Sequence, residues 1–417
     1  MNRNDRAITG FTMAGHGMVH TYELSIPILM TVWLVEFSVT SATLGTVVAV
    51  GYGLFGVGAL PGGLLVDRFG SRRLIVASLF GMGCSFLLLA VAPGIVGITA
   101  ALAVWGLAAS VYHPAGLTLI SKGVEQRGVG FAYHGMAGNV GIAGGPFATA
   151  LLLLTLDWRT ASLVLAAPAL VAAAVGVTIE FDETAAVDTV ADGGEAPSTD
   201  VTSLREFIDA SRGLFTAGFL LVFVLVLFNG LYYRGMVTFL PELLSDFLSA
   251  LIEGDPGAAI GVVPDGPAAE EFDLSRYLYA GLLAVGIGGQ YVGGRLTDAI
   301  DPVRGMAAML AALVLIALLF VPASSTLVTL LAISVALGFA LFAMQPLSQA
   351  TIAKYSPPEH RGLSFGYTYL AIFGIGALGA SLAGAALTYG SSTAVFVLLA
   401  GFAAVALALA LALIYRE

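Results

Sequence analysis

Residues 62–73 read GGLLVDRFGSRR, and residues 293–304 read GGRLTDAIDPVR. The two stretches share two glycines, a leucine, the aspartate and the final arginine at an offset of 231. Further landmarks follow the same spacing. His113-Pro114 falls on Gln345-Pro346 at 232, Lys122 on Lys354, and Arg127-Gly128 on Arg361-Gly362 at 234, carrying Phe131 onto Phe365 and Tyr133 onto Tyr367. Near the start of each copy Ile26-Pro27 falls on Leu240-Pro241 at 214. The chain is therefore a tandem of two related halves. The jump in offset implies a 17-residue insertion, expected in an acidic outer loop at about 241–276.

Each half is apolar around these landmarks. Hydrophobic residues make up 58% of the 417 positions and charged residues 11%, where a soluble domain carries about 25% charge. So little charge cannot cover a soluble surface of this size, and most of the chain must face lipid or other apolar helices. Crossing ~30 Å of hydrocarbon takes about 20 residues. Segments of that kind lie near 8–35, 42–66, 74–91, 95–120, 129–154 and 160–179, and again near 213–240, 277–296, 306–321, 327–353, 363–389 and 394–415. The fold expected is an all-α membrane protein of twelve helices, with halves at 1–180 and 213–417 and an acidic linker at 181–212. Fourteen basic residues fall on the side that bears the termini and the linker, against two on the other. That places both termini in the cytoplasm, with the protein in the cell membrane.

The net charge of -10 is concentrated in two connections, which hold 17 of the 27 acids. Acid-rich, lysine-poor loops fit a chain that lives in high salt and give no surface for nucleic acid. The single cysteine, Cys84, supports neither a disulfide framework nor a thiolate metal site.

The pattern Gly-x-x-x-Asp-Arg-x-Gly-x-Arg-Arg between the second and third spans, on a six-plus-six layout, resembles the major facilitator superfamily. That resemblance implies a carrier working by alternating access, with Gly63, Asp67, Arg68, Gly70, Arg72 and Arg73, and Asp298 and Arg304 of the second copy, as a cytoplasmic gate. Residues 110–146, with Tyr-His-Pro, Arg-Gly and Gly-Asn-x-Gly, look like fosmidomycin-resistance-type efflux carriers. The chain departs from drug–proton antiporters of the superfamily in having no arginine in the fourth span, and in following Gly145-Pro146 with Phe147 and not with paired glycines. The resemblance implies proton-coupled efflux of a small organic solute, with uptake of an organic anion or nutrient as the alternative.

Ionisable residues within spans are expensive and are functional candidates by default. His16, His20 and Glu23 share one face of the first span within roughly 60°. Together with His113 and His134 they are the expected proton-coupling residues. His134 continues into the stripe Gly138, Gly141 and Gly145, where another helix can approach closely. Arg234, on the repeat position of His20, is the expected substrate residue, read either as a bidentate anion site or as an arginine snorkelling to the outer surface. Asn139, Asn229, Tyr133, Gln345, Gln349 and Tyr367 are further cavity candidates. The His16-x-x-x-His20 spacing also suits a helical metal pair, which makes an intramembrane metalloenzyme the rival class. Without further ligands on other spans, neither metal nor enzyme is expected. No Gly-x-x-x-x-Gly-Lys-Ser/Thr loop is present. Transport is thus expected to be secondary, without cofactor, by a monomer whose partners are a small solute, protons and the bilayer.

Overall fold

A computed structural model describes residues 1–187, 204–252, 272–357 and 361–416. Every regular element among the described residues is a helix, and no strand is found among them. In the first half α1 is Arg3–Glu36, α2 Ser41–Ala59, α3 Gly62–Phe69, α4 Ser71–Ala90, α5 Ile95–Ser110, α6 Tyr112–Gly123, α7 Arg127–Leu152 and α8 Trp158–Thr178. A short helix α9, Leu204–Leu214, follows in the linker. The second half holds α10 Ala217–Leu251, α11 Leu274–Ala299, α12 Pro302–Ala323, α13 Leu327–Tyr355, α14 Arg361–Tyr369, a π-helical turn Leu370–Ile375, α15 Leu378–Tyr389 and α16 Ser392–Arg416. Ten spans are long and apolar enough to cross a membrane, with Ile95–Gly123 and Leu363–Tyr389 each counted as one. The equally long α7 and α11 complete twelve.

The helix starts follow from short polar side chains that satisfy free N–H groups of the first turn. Thr40, Thr216 and Thr326 each accept a bond from the third residue on. Asp157 caps α8 through the N–H groups of Arg159 at 2.9 Å and Thr160 at 3.1 Å. Hydrogen bonds from the Thr160 hydroxyl and backbone hold the Asp157 carboxyl below its ordinary range.

Three boundaries differ from the sequence reading. The expected span 42–66 divides, because Pro61 has no N–H to continue the ladder. The loop motif then forms its own helix α3, which ends at Gly70 with φ +81°. The second copy has no proline there, and α11 runs unbroken through its motif to Ala299. The fourth span breaks between Ser110 and Tyr112, just before Pro114. Pro346 lies inside an uninterrupted α13. Finally, helix α10 continues eleven residues past Leu240. Residues 241–251 are therefore helix and not outer loop, residues 274–276 already belong to α11, and 253–271 of the expected loop lie outside the described residues.

Glycines set how closely the helices meet. At Gly141 and Gly145 of α7 a Cβ would lie 2.3 Å from the Gly17 carbonyl oxygen and 2.6 Å from Thr21 of α1. The halves join along α2, where a Cβ on Gly56 would lie 2.0 Å from the Gly374 nitrogen, and through polar bonds at the end away from the linker. Ser41 donates to Glu242 at 2.8 Å, the Ala42 N–H to Thr388 at 2.9 Å, and Arg276 to Thr31 at 3.2 Å. Helices α7 and α11 touch there through Phe147 and Tyr277, whose rings are 6.1 Å apart. Fourteen residues along the same stripes, Tyr133 and Tyr291 are exposed. These two helices meet at the far face and part toward the linker face.

Candidate substrate and coupling site

Among the described residues, the buried charged side chains at the middle of the bundle gather at one place. Glu23 of α1 is 1% exposed and Arg234 of α10 is 0% exposed. The Arg234 Nη2 donates to Glu23 Oε1, joining the two halves in an ion pair. Tyr52 of α2 fixes the geometry. Its hydroxyl donates to the Glu23 carbonyl at 2.9 Å, and its ring lies 3.9 Å from the guanidinium carbon. Phe373 of the π-helical turn and Tyr233 complete an aromatic box at 5.2 and 5.3 Å. Such faces stabilise a desolvated cation by roughly 2 kcal/mol or more. The other two guanidinium nitrogens, Nε and Nη1, are buried and have no hydrogen-bond partner among the described residues.

Behind this pair stands a chain of histidines. The His20 Nδ1 lies 2.7 Å from Glu23 Oε2, and its Nε2 lies 3.1 Å from the Nε2 of His16. The Nδ1 of His16 is 2.7 Å from the His134 carbonyl oxygen. The His134 ring stacks on His16 at 3.9 Å, and His113 meets both His16 and His20 edge-on at 5.2 and 5.6 Å. Gly138 makes this possible, since a Cβ there would come within 2.4 Å of the His16 ring.

The five residues expected to couple protons and Arg234 thus form one connected cluster. Arg234 does not snorkel. It turns inward because Glu23 and the aromatic box lie within its reach. The other cavity candidates fall elsewhere. Tyr133 is 43% exposed, and Gln349 is exposed. Asn139 and Asn229 are half-buried without a described partner. Gln345 accepts from Gln290 at 3.1 Å, which ties α13 to α11. Tyr367 donates to Ser211 of α9 at 2.9 Å, so it docks the linker helix and does not line the centre. Span register decides these outcomes, and the polarity of one residue does not reveal it.

The sequence reading missed Tyr52, Tyr233 and Phe373, because nothing in a single chain shows which aromatic ring meets which cation. It also placed Glu242 and Asp246 in a loop. They lie on α10 and line a cleft of about 600 Å³ between the halves on the far face, with Thr31, Ser41 and Arg276.

At the linker face the expected gate residues bond within their own halves. Asp67 meets Lys122 at 3.7 Å, both well exposed. Arg72 donates to the carbonyls of Gly176 and Val177 at 2.9 and 2.7 Å, closing the end of α8. Gly63, Arg68, Arg73, Asp298 and Arg304 are exposed. Lys354, which the repeat would pair with Asp298, binds Asp301 instead at 2.5 Å. Burial opposes ionisation of Asp301, yet bonds from Lys354 and the Arg304 N–H hold its carboxyl below the ordinary range.

A metal would call on His16, His20 and His113, whose nitrogens lie within 4.8 Å of one another. An ion bound at ~2.0–2.1 Å needs ligand nitrogens no more than about 3.5 Å apart. The trio as it stands is too widely spaced for one shell, while the 3.1 Å His16–His20 separation is that of a hydrogen bond.

Two six-helix halves with a charged pair between them at mid-bundle define the class of secondary carriers. The family model of the Major Facilitator Superfamily matches residues 10–263 and 247–417. The chain belongs to that superfamily. It is a multi-pass membrane protein, a secondary transporter of small molecules. Over 108 residues, 25% of this chain and 22% of the other, it is 36% identical to the puromycin resistance protein pur8 of Streptomyces alboniger. The solved structure of the nucleoside transporter NupG superposes with a TM-score of 0.75 at 12% identity, covering 99% of each chain. A bacterial homologue of the human lysosomal transporter Spinster gives 0.68 at 14% identity over 100% of this chain and 98% of its own. The peptide transporter POT in complex with sulfate gives 0.71 at 14% identity over 99% and 94%. At these identities the likeness is one of fold.

Proposed function

We propose that the chain carries a small organic anion coupled to protons, with Arg234 as the anion site and Glu23 as the proton acceptor. One observation carries this reading: the fully buried Arg234 spends a single nitrogen on Glu23 and leaves Nε and Nη1 unpartnered. A buried donor without a partner costs roughly 1–3 kcal/mol. An anionic group bound across the fork relieves that cost and competes with Glu23 for the guanidinium. Once Arg234 turns to the anion, Glu23 is a buried carboxylate without its counter-ion and takes up a proton. Anion and proton then occupy the same state of the carrier, which makes the cycle a symport. The basic residues gathered on the linker face support a reading in which both termini lie in the cytoplasm and the protein sits in the cell membrane.

A second reading is supported by a separate observation. The match to a puromycin resistance protein, although it covers a quarter of the chain, favours export of drug-like solutes in exchange for protons, as does the fosmidomycin-type motif. Proteoliposomes under an imposed pH gradient, screened against anionic and hydrophobic solutes, separate the two. Symport concentrates an anion on the alkaline side, whereas antiport drives a solute toward the acidic side. Flux indifferent to the gradient contradicts both.

A further inference from the structure

We propose that the empty carrier already holds one proton between His16 and His20, and that this proton pool supplies Glu23. The inference rests on Glu23 being the proton acceptor of the cycle, and its argument is one of donors and acceptors. A backbone carbonyl only accepts, so the His16 Nδ1, 2.7 Å from the His134 oxygen, must carry a hydrogen. A carboxylate paired with arginine only accepts, so the His20 Nδ1, 2.7 Å from Glu23 Oε2, must carry one too. With both Nδ1 positions protonated, two neutral rings would face each other through bare Nε2 lone pairs at 3.1 Å. That contact is repulsive as it stands and becomes a hydrogen bond once one proton is added. The separations already described favour a proton over a metal ion in that place.

The surroundings of the pair are aromatic rings and one carboxylate. His134 stacks on His16, and Tyr112, whose hydroxyl donates to the Thr12 carbonyl, lies beside both rings, 6.0 Å from His16 and 6.1 Å from His134. His113 faces both rings edge-on, and Tyr369 lies 5.4 Å beyond it. The charged groups in reach are Glu23 and, through it, Arg234. Arg234, Glu23 and the protonated pair sum to one net positive charge, the complement of a monoanion.

The transfer step balances within these residues. When an anion takes Arg234, the Nδ1–H bond of His20 breaks and an O–H bond forms on Glu23 Oε2. The nitrogen keeps its electron pair, and His20, now neutral, still donates its Nε2–H to His16. Glu23 then releases its proton on the other side, and the pair is reloaded only when the empty carrier again faces the side from which the anion is taken.

The test needs no substrate. Full-length protein is labelled with ¹⁵N-histidine, reconstituted in lipid nanodiscs, and read by ¹⁵N NMR at about pH 7, where ordinary histidines are mostly neutral. A His360→Gln background leaves the four core rings. The expected spectrum has one ring protonated at both nitrogens and a scalar coupling across an Nε2–H···Nε2 bond. His16→Phe abolishes both signals. Four neutral rings in the unsubstituted core, or a cobalt-induced paramagnetic shift of His16, His20 and His113 reversed by chelator, overturns the proposal. Gradient-driven flux is measured separately. Flux with four neutral rings removes the stored proton and leaves the coupling at Glu23, whereas a stored proton without gradient-driven flux removes the coupling.

Discussion

Arg234→Lys isolates the anion fork from the charge. Lysine keeps one positive charge and reaches toward Glu23, so the ion pair between the halves survives in altered form. It removes the planar arrangement in which Nη2 holds Glu23 while Nε and Nη1 stand free. A hydrogen bond to a charged group contributes about 1.5–3 kcal/mol. Losing one of the two bonds to a bound anion therefore weakens affinity by roughly 10- to 10²-fold, since ~1.4 kcal/mol is a factor of ten. The lost stacking on Tyr52, at 3.9 Å the nearest of the three rings, acts in the same direction. The assay is calorimetric binding of the anion selected by the vesicle screen, with thermal unfolding recorded on the same preparation. The expected result is the affinity loss with unfolding nearly unchanged. Equal affinity in wild type and Arg234→Lys would refute the fork as the substrate site.

Three further outcomes follow from the geometry. Gly56→Ala places a Cβ 2.0 Å from the Gly374 nitrogen, so the halves must separate there. A loss of about 1–3 kcal/mol is expected in denaturant unfolding, and an unchanged midpoint contradicts that close approach. Asp67→Asn breaks only an exposed pair with Lys122, so stability stays within ~0.5 kcal/mol. Transport should nevertheless slow, because the gate proposed for the shut linker face has lost its carboxylate, and wild-type rates would remove Asp67 from the gate. Asp157→Ala removes the α8 cap and lowers stability by about 1 kcal/mol. Since the folded carboxyl titrates below its ordinary ~3.9, that difference is full above this pH and fades as the pH falls beneath it. A difference that grows on acidification contradicts the assignment.

Much of this architecture was legible before any coordinates. The repeated Gly-Gly-x-Leu-x-Asp motif and the low charge content fix twelve spans in two halves. A membrane interior penalises charge, so Glu23, Arg234 and the four core histidines stood out as candidates. They do converge, and the repeat offset that set Arg234 on the position of His20 pointed to a place across the bundle. What the sequence concealed depends on register between helices. Nothing local tells Tyr52, which holds both Glu23 and Arg234, from Tyr133, which is exposed. Pro241 read as the end of a span, but it lies within α10 as Pro27 lies within α1. A proline removes one donor, and tertiary packing carries the helix through. Glu242 and Asp246 were consequently assigned to a loop. The second half does not repeat the first half's contact of Asp67 with Lys122, since Asp301 caps α12 beside Lys354 and takes the place of Asp298.

The central claim is that Glu23 couples protons to solute movement through its pair with Arg234. Glu23→Gln keeps the shape and a hydrogen-bonding oxygen at that position but cannot cycle a proton. In proteoliposomes, solute exchange without a gradient should persist in this variant, while accumulation driven by an imposed pH gradient should be lost. Accumulation at the wild-type level in Glu23→Gln would place the coupling site elsewhere and contradict the account.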